Sequence, residues 1–207
     1  MALYPVLIEF EGAPVLVAGG GKIALHNAEL FSGLGADVAV VAPEICPEIY
    51  RLSVRTEQRC VRAEDAEGKV LVVDATGDPG AQNVLSEACR ASHTPYICAG
   101  QGDLCTAMLP AVYRKGRTLL AVSSTGASPA ASAWLRDRLA EEVPESMDGI
   151  LDMMAKARRI SREAFELQSV RSRYLHACLD EMLRLRRPLS EDEELQIRQS
   201  VNDNKEV

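Results

Sequence analysis

The 207-residue chain has no run of about 20 consecutive apolar residues, so nothing in it predicts a membrane-spanning helix. The apolar stretch Val15 to Ala18 is too short for a secretory h-region, and no charged n-region precedes it, so no signal peptide is expected. Basic excess is missing too: 23 Lys and Arg stand against 30 Asp and Glu, a net charge of -7, which argues against wholesale nucleic-acid binding. An anionic ligand would therefore need a local cluster of cations. The six cysteines, Cys46, Cys60, Cys89, Cys98, Cys105 and Cys178, form no CxxC pair and no regular framework. Neither a zinc site nor a disulfide scaffold follows, and they read as reduced thiols serving mostly as small apolar core residues. Three scattered histidines, His26, His93 and His176, lack a neighbouring carboxylate pattern, so no metal site is expected. There is no internal repeat and no low-complexity segment. These absences leave a soluble, cytoplasmic chain long enough to bury a substantial core.

What is present is a rhythm of short apolar runs and helix-like segments. "PVLVAG", "ADVAVVAP", "KVLVVDAT", "TPYICAG" and "TLLAVSST" read as five strands, with "KIALHNAELFSGLG" and "PGAQNVLSEACRAS" as intervening helices. Near-continuous apolar strands separated by helices predict a mostly parallel sheet covered on both faces, a Rossmann-like doubly wound α/β domain. After Ser128 the character changes. "SPAASAWLRDRLAEEVP" has helical spacing, and the segment from Met147 to Arg187 continues as one or more amphipathic helices, with Ile150, Leu151, Met154 and Ala157 as the expected apolar stripe. "LSEDEELQIRQSVNDNKEV" closes the chain with a short helix and a frayed terminus. The expected division is a dinucleotide domain over 1–112, a dimerisation and substrate region over 113–145, and a helical C-terminal domain over 146–207. A helical extension with an apolar stripe needs a surface to pack on; a second copy of the chain is the natural one, and the chain's own sheet is the alternative.

"VLVAGGGKIALHNAEL" places three glycines between a strand and a helix, where a parallel sheet presents its ligand crevice. Gly19, Gly21 and Ala24 fit the spacing G-x-G-x-x-G/A. Gly19 permits the tight turn, Gly21 lets backbone approach a pyrophosphate, and Ala24 allows close helix-to-strand packing. Gly20, Lys22 and Ile23 complete the loop and the first helical turn, whose N–H groups and dipole suit phosphate. A dinucleotide is the expected guest; a tight turn without a ligand is the alternative. The second strand ends in Ala42 and Pro43 before Glu44, so the usual acidic ribose partner is displaced, and the absence of an arginine there favours NAD over NADP.

Taken together, "YPVLIEFEGAPVLVAGGGKIA", "GADVAVVAP", "DATGDPGAQN" and "MLPAVYRKGRTLLAVSSTGASPAASAWLRDRLAEEVP" resemble the precorrin-2 dehydrogenase family, the module that also forms the N-terminal part of siroheme synthases. The likeness runs over residues 4–145. The resemblance implies an NAD-binding domain, a dimerisation region, a small helical domain and oxidation of precorrin-2 to sirohydrochlorin, with iron insertion in some members. It also implies cofactor contacts at Gly19, Gly20, Gly21, Asp74, Ala75 and Thr76, with Thr76 beside the nicotinamide ribose. Ser124 falls where some relatives have a serine lining the active site.

Three family features are absent. The family carries an Asn at the position of Tyr96 and an acid-base aspartate at about Gly100, and an Arg-Lys pair in its first helix is replaced here by His26 and Asn27. The nearest carboxylate, Asp103 in the glycine-flanked segment "AGQGDL", is the candidate replacement base; its alternative role is to cap a turn or helix. His26 is a weaker candidate base, and His93 reads as a capping or solvent residue. Precorrin-2 carries eight carboxylates, so Arg114 with Lys115, Arg117, Arg136, Arg138, Arg158 and Arg159 are the cations expected to receive it. Ser123, Ser124, Thr125, Gly126 and Ser128 are placed as hydrogen-bonding substrate contacts, and Ser128 followed by Pro129 also reads as a helix N-cap. The sequence thus points to an NAD-dependent precorrin-2 dehydrogenase, homodimeric, working beside other tetrapyrrole-pathway enzymes, with ferrochelatase activity disfavoured by the missing aspartate. A catalytically weakened tetrapyrrole or NAD carrier is the alternative, and an unrelated NAD-binding regulator a third reading.

Overall fold

Strands β1 (Pro14–Ala18), β2 (Asp37–Ala42), β3 (Arg55–Gln58), β4 (Leu71–Asp74) and β5 (Tyr96–Cys98) form one parallel sheet in the order β3-β2-β1-β4-β5, in a computed structural model that describes residues 3–203. The strands are apolar almost throughout because both faces are covered. Val15, Val17, Val38, Val40, Leu71 and Val73 point to one face, where helix α1 (Lys22–Gly33) lays Ala24, Ala28 and Phe31. Leu16, Ala18, Val41, Val72, Tyr96 and Cys98 point to the other, against Leu85 and Cys89 of helix α2 (Pro79–Ser92). The expected doubly wound α/β layering is therefore present. Asp78 caps α2 by accepting from Ala81 N at 3.0 Å, Pro79 opens it, and His93 ends it in the left-handed conformation, the capping role foreseen for this histidine.

Strand β3 escaped the sequence reading. Its residues Arg55 to Gln58 are polar and mostly exposed, since an edge strand has one neighbour and little to bury, and no apolar alternation marks it. Arg55 pins it to β2 through Asp37 at 2.7 Å.

A second compact unit comprises residues 110–124 and 128–203, while 125–127 group with the first. Here one expectation is corrected. "TLLAVSST" does not extend the parallel sheet: Thr118–Val122 (β7) pairs antiparallel with Ala111–Lys115 (β6) in a separate two-stranded sheet. A two-residue connection between the strands allows a hairpin and forbids a parallel crossover, which needs a dozen residues or more. Asp148 accepts from Arg117 N at 3.0 Å beside the hairpin tip, where Gly116 has φ +53°.

Helix α3 (Pro129–Glu142) starts as expected, with the Ser128 hydroxyl accepting from Ala131 N at 3.2 Å. Ser132 is its one buried residue, whereas Trp134 is 63% exposed and Leu135 and Leu139 stand beside it in solvent. Helices α4 (Met147–Ala164), α5 (Gln168–Leu185) and α6 (Glu191–Asp203) share their own core of Ile150, Met153, Ala157, Val170, Tyr174, Cys178 and Met182. The α4 stripe differs from the expected one. Ile150, Met153, Ala157 and Ser161 are buried along an i, i+3, i+7, i+11 line, and Leu151 and Met154, set to one side of it, remain partly exposed. Helix α6 is 13 residues long rather than short, held by the Ser190–Glu193 capping box and by Glu194, which accepts from the buried Tyr174 hydroxyl at 2.5 Å. The frayed terminus expected beyond Asp203 lies outside the described residues. All six cysteines are free thiols; Cys89, Cys98 and Cys178 are core residues as anticipated, and Cys60 is exposed. Among the described residues no helix is long and apolar enough to cross a membrane.

Candidate functional site

Because all five strands run the same way, the loops after β1, β2, β4 and β5 leave one edge of the sheet together. Backbone hydrogen bonds tie these loops to one another: Gly19 N to Val41 O at 2.9 Å, Cys46 N to Gly20 O at 2.9 Å, Ala75 N to Ala18 O at 2.7 Å and Ala99 N to Asp74 O at 2.8 Å. The three glycines have distinct tasks. Gly19 has φ +114°, and a Cβ there would lie 2.5 Å from Ala75 O. A Cβ on Gly20 would lie 1.9 Å from Glu44 O. A Cβ on Gly21 would meet nothing within 4 Å. Gly19 and Gly20 are thus demanded by the protein's own loops, while Gly21 faces open space at the start of α1. That helix has no side-chain cap and no acidic residue in its first turn, so its first N–H groups and positive dipole end are offered to an anion. Lys22 and Ile23 are exposed beside them, and Ala24 is fully buried, as close helix-to-strand packing requires.

Ala42 is buried at the end of β2, and the exposed Pro43 and Glu44 follow it. Asp74, at the end of β4, is fully buried. One of its oxygens accepts from Thr76 N at 2.9 Å and Thr76 Oγ1 at 2.7 Å, and the other accepts from Tyr96 Oη at 2.8 Å. The Asp74 side chain therefore shapes the loop of Ala75 and Thr76 from beneath. Thr76 Oγ1 in turn accepts from Asp78 N at 3.2 Å. Burial, then the hydrogen bond to Asp74, raises the Tyr96 hydroxyl pKa well above the usual range. Burial, with the Asp74 charge, pushes the Cys89 thiol up to about 11, and burial raises Cys98. None of these groups titrates near neutrality as a proton acceptor. Residue types alone gave no sign of the Tyr96 hydroxyl's role, because a tyrosine in an apolar strand reads as core.

Asp103 lies in a 3₁₀ turn, Gly102–Leu104, that follows β5 on the same edge. Its side chain is exposed and makes no hydrogen bond or ion pair among the described residues, and it caps nothing. Gly100 has φ +82°, in the left-handed region that glycine adopts without strain. His26 is exposed on α1, and Asn27 is buried with its amide bonded to Ile23 O at 2.8 Å.

The residues expected to touch substrate fall at the β7–α3 junction. Ser124 Oγ donates to Ser128 O at 2.9 Å and accepts from Ser128 N at 3.0 Å, and Ser132 Oγ donates to Ser124 Oγ at 2.9 Å. Ser132 went unnoticed in the sequence because it lies eight residues away on the following helix. Ser123 is exposed, and Thr125 and Gly126 both have positive φ, +54° and +88°. For a β-branched residue this is a strained backbone, a feature that concentrates at ligand sites. The cations divide clearly. Lys115 pairs with Glu145, Arg117 with Asp152, Arg136 with Asp137 and Arg138 with Glu141. Arg114, Arg158 and Arg159 make no ion pair among the described residues. Arg158 and Arg159 join Arg162, which sequence reasoning missed, around a surface depression of about 340 Å³ floored by Leu151 and Met154.

Comparison with known proteins places this geometry. Residues 6–111 match the family described as "Putative NAD(P)-binding". The chain is 31% identical over 176 residues to the siroheme synthase of Nitrosomonas eutropha, covering 83% of this chain and 37% of that protein. It is 30% identical over 168 residues to the siroheme synthase of Ectopseudomonas mendocina, covering 80% and 36%. The chain thus spans little more than a third of the length of these relatives. The solved structure of SirC, precorrin-2 dehydrogenase, superposes with a TM-score of 0.69 at 25% identity over 97% of this chain and 100% of that one.

Proposed function

Because this chain belongs to the NAD(P)-binding family that it matches over residues 6–111, we propose that it oxidises precorrin-2 to sirohydrochlorin with NAD+ as hydride acceptor. The observation that carries this reading is the glycine loop: Gly21 opens outward at an uncapped helix N-terminus while Gly19 and Gly20 are locked by neighbouring loops. A site so built fits a dinucleotide pyrophosphate. Gly19, Gly20, Gly21, Lys22 and Ile23 hold the phosphates, Ala42 and Pro43 border the adenosine side, and Ala75 and Thr76, shaped by Asp74, border the nicotinamide side. When bound, NAD+ supplies a two-electron acceptor. The residues of the chain orient the macrocycle and take the proton that departs with the hydride. Asp103 is the proton acceptor in this proposal, since it is an exposed carboxylate at this sheet edge with no other partner among the described residues. Arg114 and the Ser123, Ser124, Thr125, Gly126 and Ser128 segment bind substrate carboxylates, and Arg158, Arg159 and Arg162, which make no ion pair among the described residues, add positive charge to an otherwise acidic protein.

Following NADH and sirohydrochlorin absorbance together, after mixing the protein with anaerobically generated precorrin-2 and NAD+, tests the proposal. Equal appearance of both over many turnovers is expected. Saturable tetrapyrrole binding without turnover would identify a carrier instead.

NAD is preferred to NADP in this reading because Glu44, exposed just past β2, would repel a 2′-phosphate. The expected result is a kcat/KM for NADP+ lower than for NAD+ by about tenfold or more, a gap that Glu44→Gln narrows. Equal use of both cofactors would remove Glu44 from specificity.

The 1–112, 113–145 and 146–207 division assigns the middle segment to dimerisation. Support comes from α3, a helix with one buried residue and an exposed Trp134, Leu135 and Leu139, next to a two-stranded sheet without a buried residue. The apolar surface that these exposed side chains present is one that a second copy would cover. Trp134→Glu should convert a dimer to monomer in sedimentation experiments; an unchanged mass would move the interface elsewhere. A homodimer in the cytoplasm, acting beside neighbouring tetrapyrrole-pathway enzymes, completes the proposal.

A further inference from the structure

We infer that Tyr96 is a positioning residue for the cofactor, acting through the buried Asp74 carboxylate on the loop of Ala75 and Thr76. The inference rests on the dinucleotide reading of the glycine edge given above. Tyr96 sits beside Val72 in the sheet register, two pairs below the Asp74–Cys98 end of the β4–β5 ladder, and its ring runs upward inside the layer between sheet and α2. It is fully buried, and its hydroxyl lies 2.8 Å from Asp74 Oδ2 and 3.4 Å from Gln82 O.

Every contact to the Asp74 side chain is a donor: Tyr96 Oη on one oxygen, Thr76 N and Thr76 Oγ1 on the other. This pattern suits an ionised carboxylate, which only accepts. The Tyr96 hydroxyl leaves Asp74 Oδ1 free to hold Thr76 alone. Thr76 is thereby fixed at two atoms, and the adjoining Ala75 carbonyl stands where a side chain on Gly19 would collide with it. A single hydroxyl in the core thus sets the height of the loop that borders the cofactor.

Removing the hydroxyl in Tyr96→Phe keeps the ring and leaves Asp74 Oδ2 without a donor in a buried place. The carboxylate is then expected to turn toward other donors and release Thr76. The dissociation constant for NAD+, measured by calorimetry without tetrapyrrole, should rise about tenfold, the size of one hydrogen bond to a charged group. In turnover the KM for NAD+ should rise similarly, while KM for precorrin-2 and kcat at saturating NAD+ stay near those of the unaltered protein. Thr76→Val, which breaks the other end of the chain of bonds, should weaken NAD+ in the same direction. In an Asp74→Asn background the effect of Tyr96→Phe should largely vanish, since the two act in series.

A lower melting temperature with unchanged NAD+ affinity would overturn the inference and leave Tyr96 as core packing. An equal effect of Tyr96→Phe with and without Asp74→Asn would overturn the route through Asp74. Unaltered protein that binds no NAD+ would overturn the dinucleotide reading as well as this one, which distinguishes the two failures.

Discussion

Gly21→Ala should leave the melting temperature where it is and weaken NAD+ binding about 10²-fold, the scale of an ångström-level misplacement of a bound reactant. Gly20→Ala, one residue earlier, should do the reverse in kind and cost the fold itself. The difference follows from the surroundings of each absent Cβ. At Gly21 the φ is -91°, open to any residue, and an added methyl meets no protein atom within 4 Å. It projects into the space reserved for the ligand. At Gly20 the methyl would press on the Glu44 carbonyl at 1.9 Å and on Ile45 Cα at 2.8 Å, both backbone atoms that cannot rotate away. The loops after β1 and β2 must then part, breaking the Cys46 N to Gly20 O bond at 2.9 Å, at a cost of at least about 1–3 kcal/mol. Thermal unfolding and NAD+ titration of the two variants separate these effects. Should Gly21→Ala bind NAD+ as the unaltered protein does, the pyrophosphate does not cross the glycine loop.

Asp103→Asn should lower kcat by about 10²- to 10⁴-fold, the contribution of a positioned general base, without changing stability or NAD+ affinity. Dehydrogenation releases a proton as well as a hydride, so a positioned carboxylate contributes to the rate. Asp103 is exposed and engaged with nothing among the described residues, so asparagine replaces it without loss of a contact. Single-turnover absorbance at saturating NAD+ reads the chemical step directly. Full turnover of Asp103→Asn with unchanged binding would end the replacement-base proposal and return the acceptor role to water or to another group.

The candidate site was legible in part. The glycine spacing of residues 19–24 carries its meaning in the sequence, because each small residue answers a local requirement of a strand-to-helix turn. The roles of Gly20 and Gly21 were not separable there, since the Glu44 carbonyl that decides between them is 24 residues away. The Ser128–Pro129 cap was equally local and equally readable. Its neighbour Ser132 was not, because its bond to Ser124 depends on how the first turn of α3 folds back on the preceding loop. Charges followed the same division: the sequence counts cations, but only three-dimensional pairing separates the engaged Arg117, Arg136 and Arg138 from Arg158 and Arg159, which make no ion pair among the described residues.

By itself the sequence determined the α/β class, the parallel core strands, the helix starts and the dinucleotide loop, all of which arise from patterns within a few residues of one another. Tertiary structure alone decided that β6 and β7 form their own hairpin, that polar Arg55 to Gln58 is an edge strand, and that α4 buries Met153 rather than Leu151. It alone joined Tyr96, Asp74 and Thr76 into one hydrogen-bonded unit across 22 residues of chain. Strand pairing, edge position and burial of a polar group depend on which distant segment lies alongside, and hydrophobic periodicity carries no record of that partner.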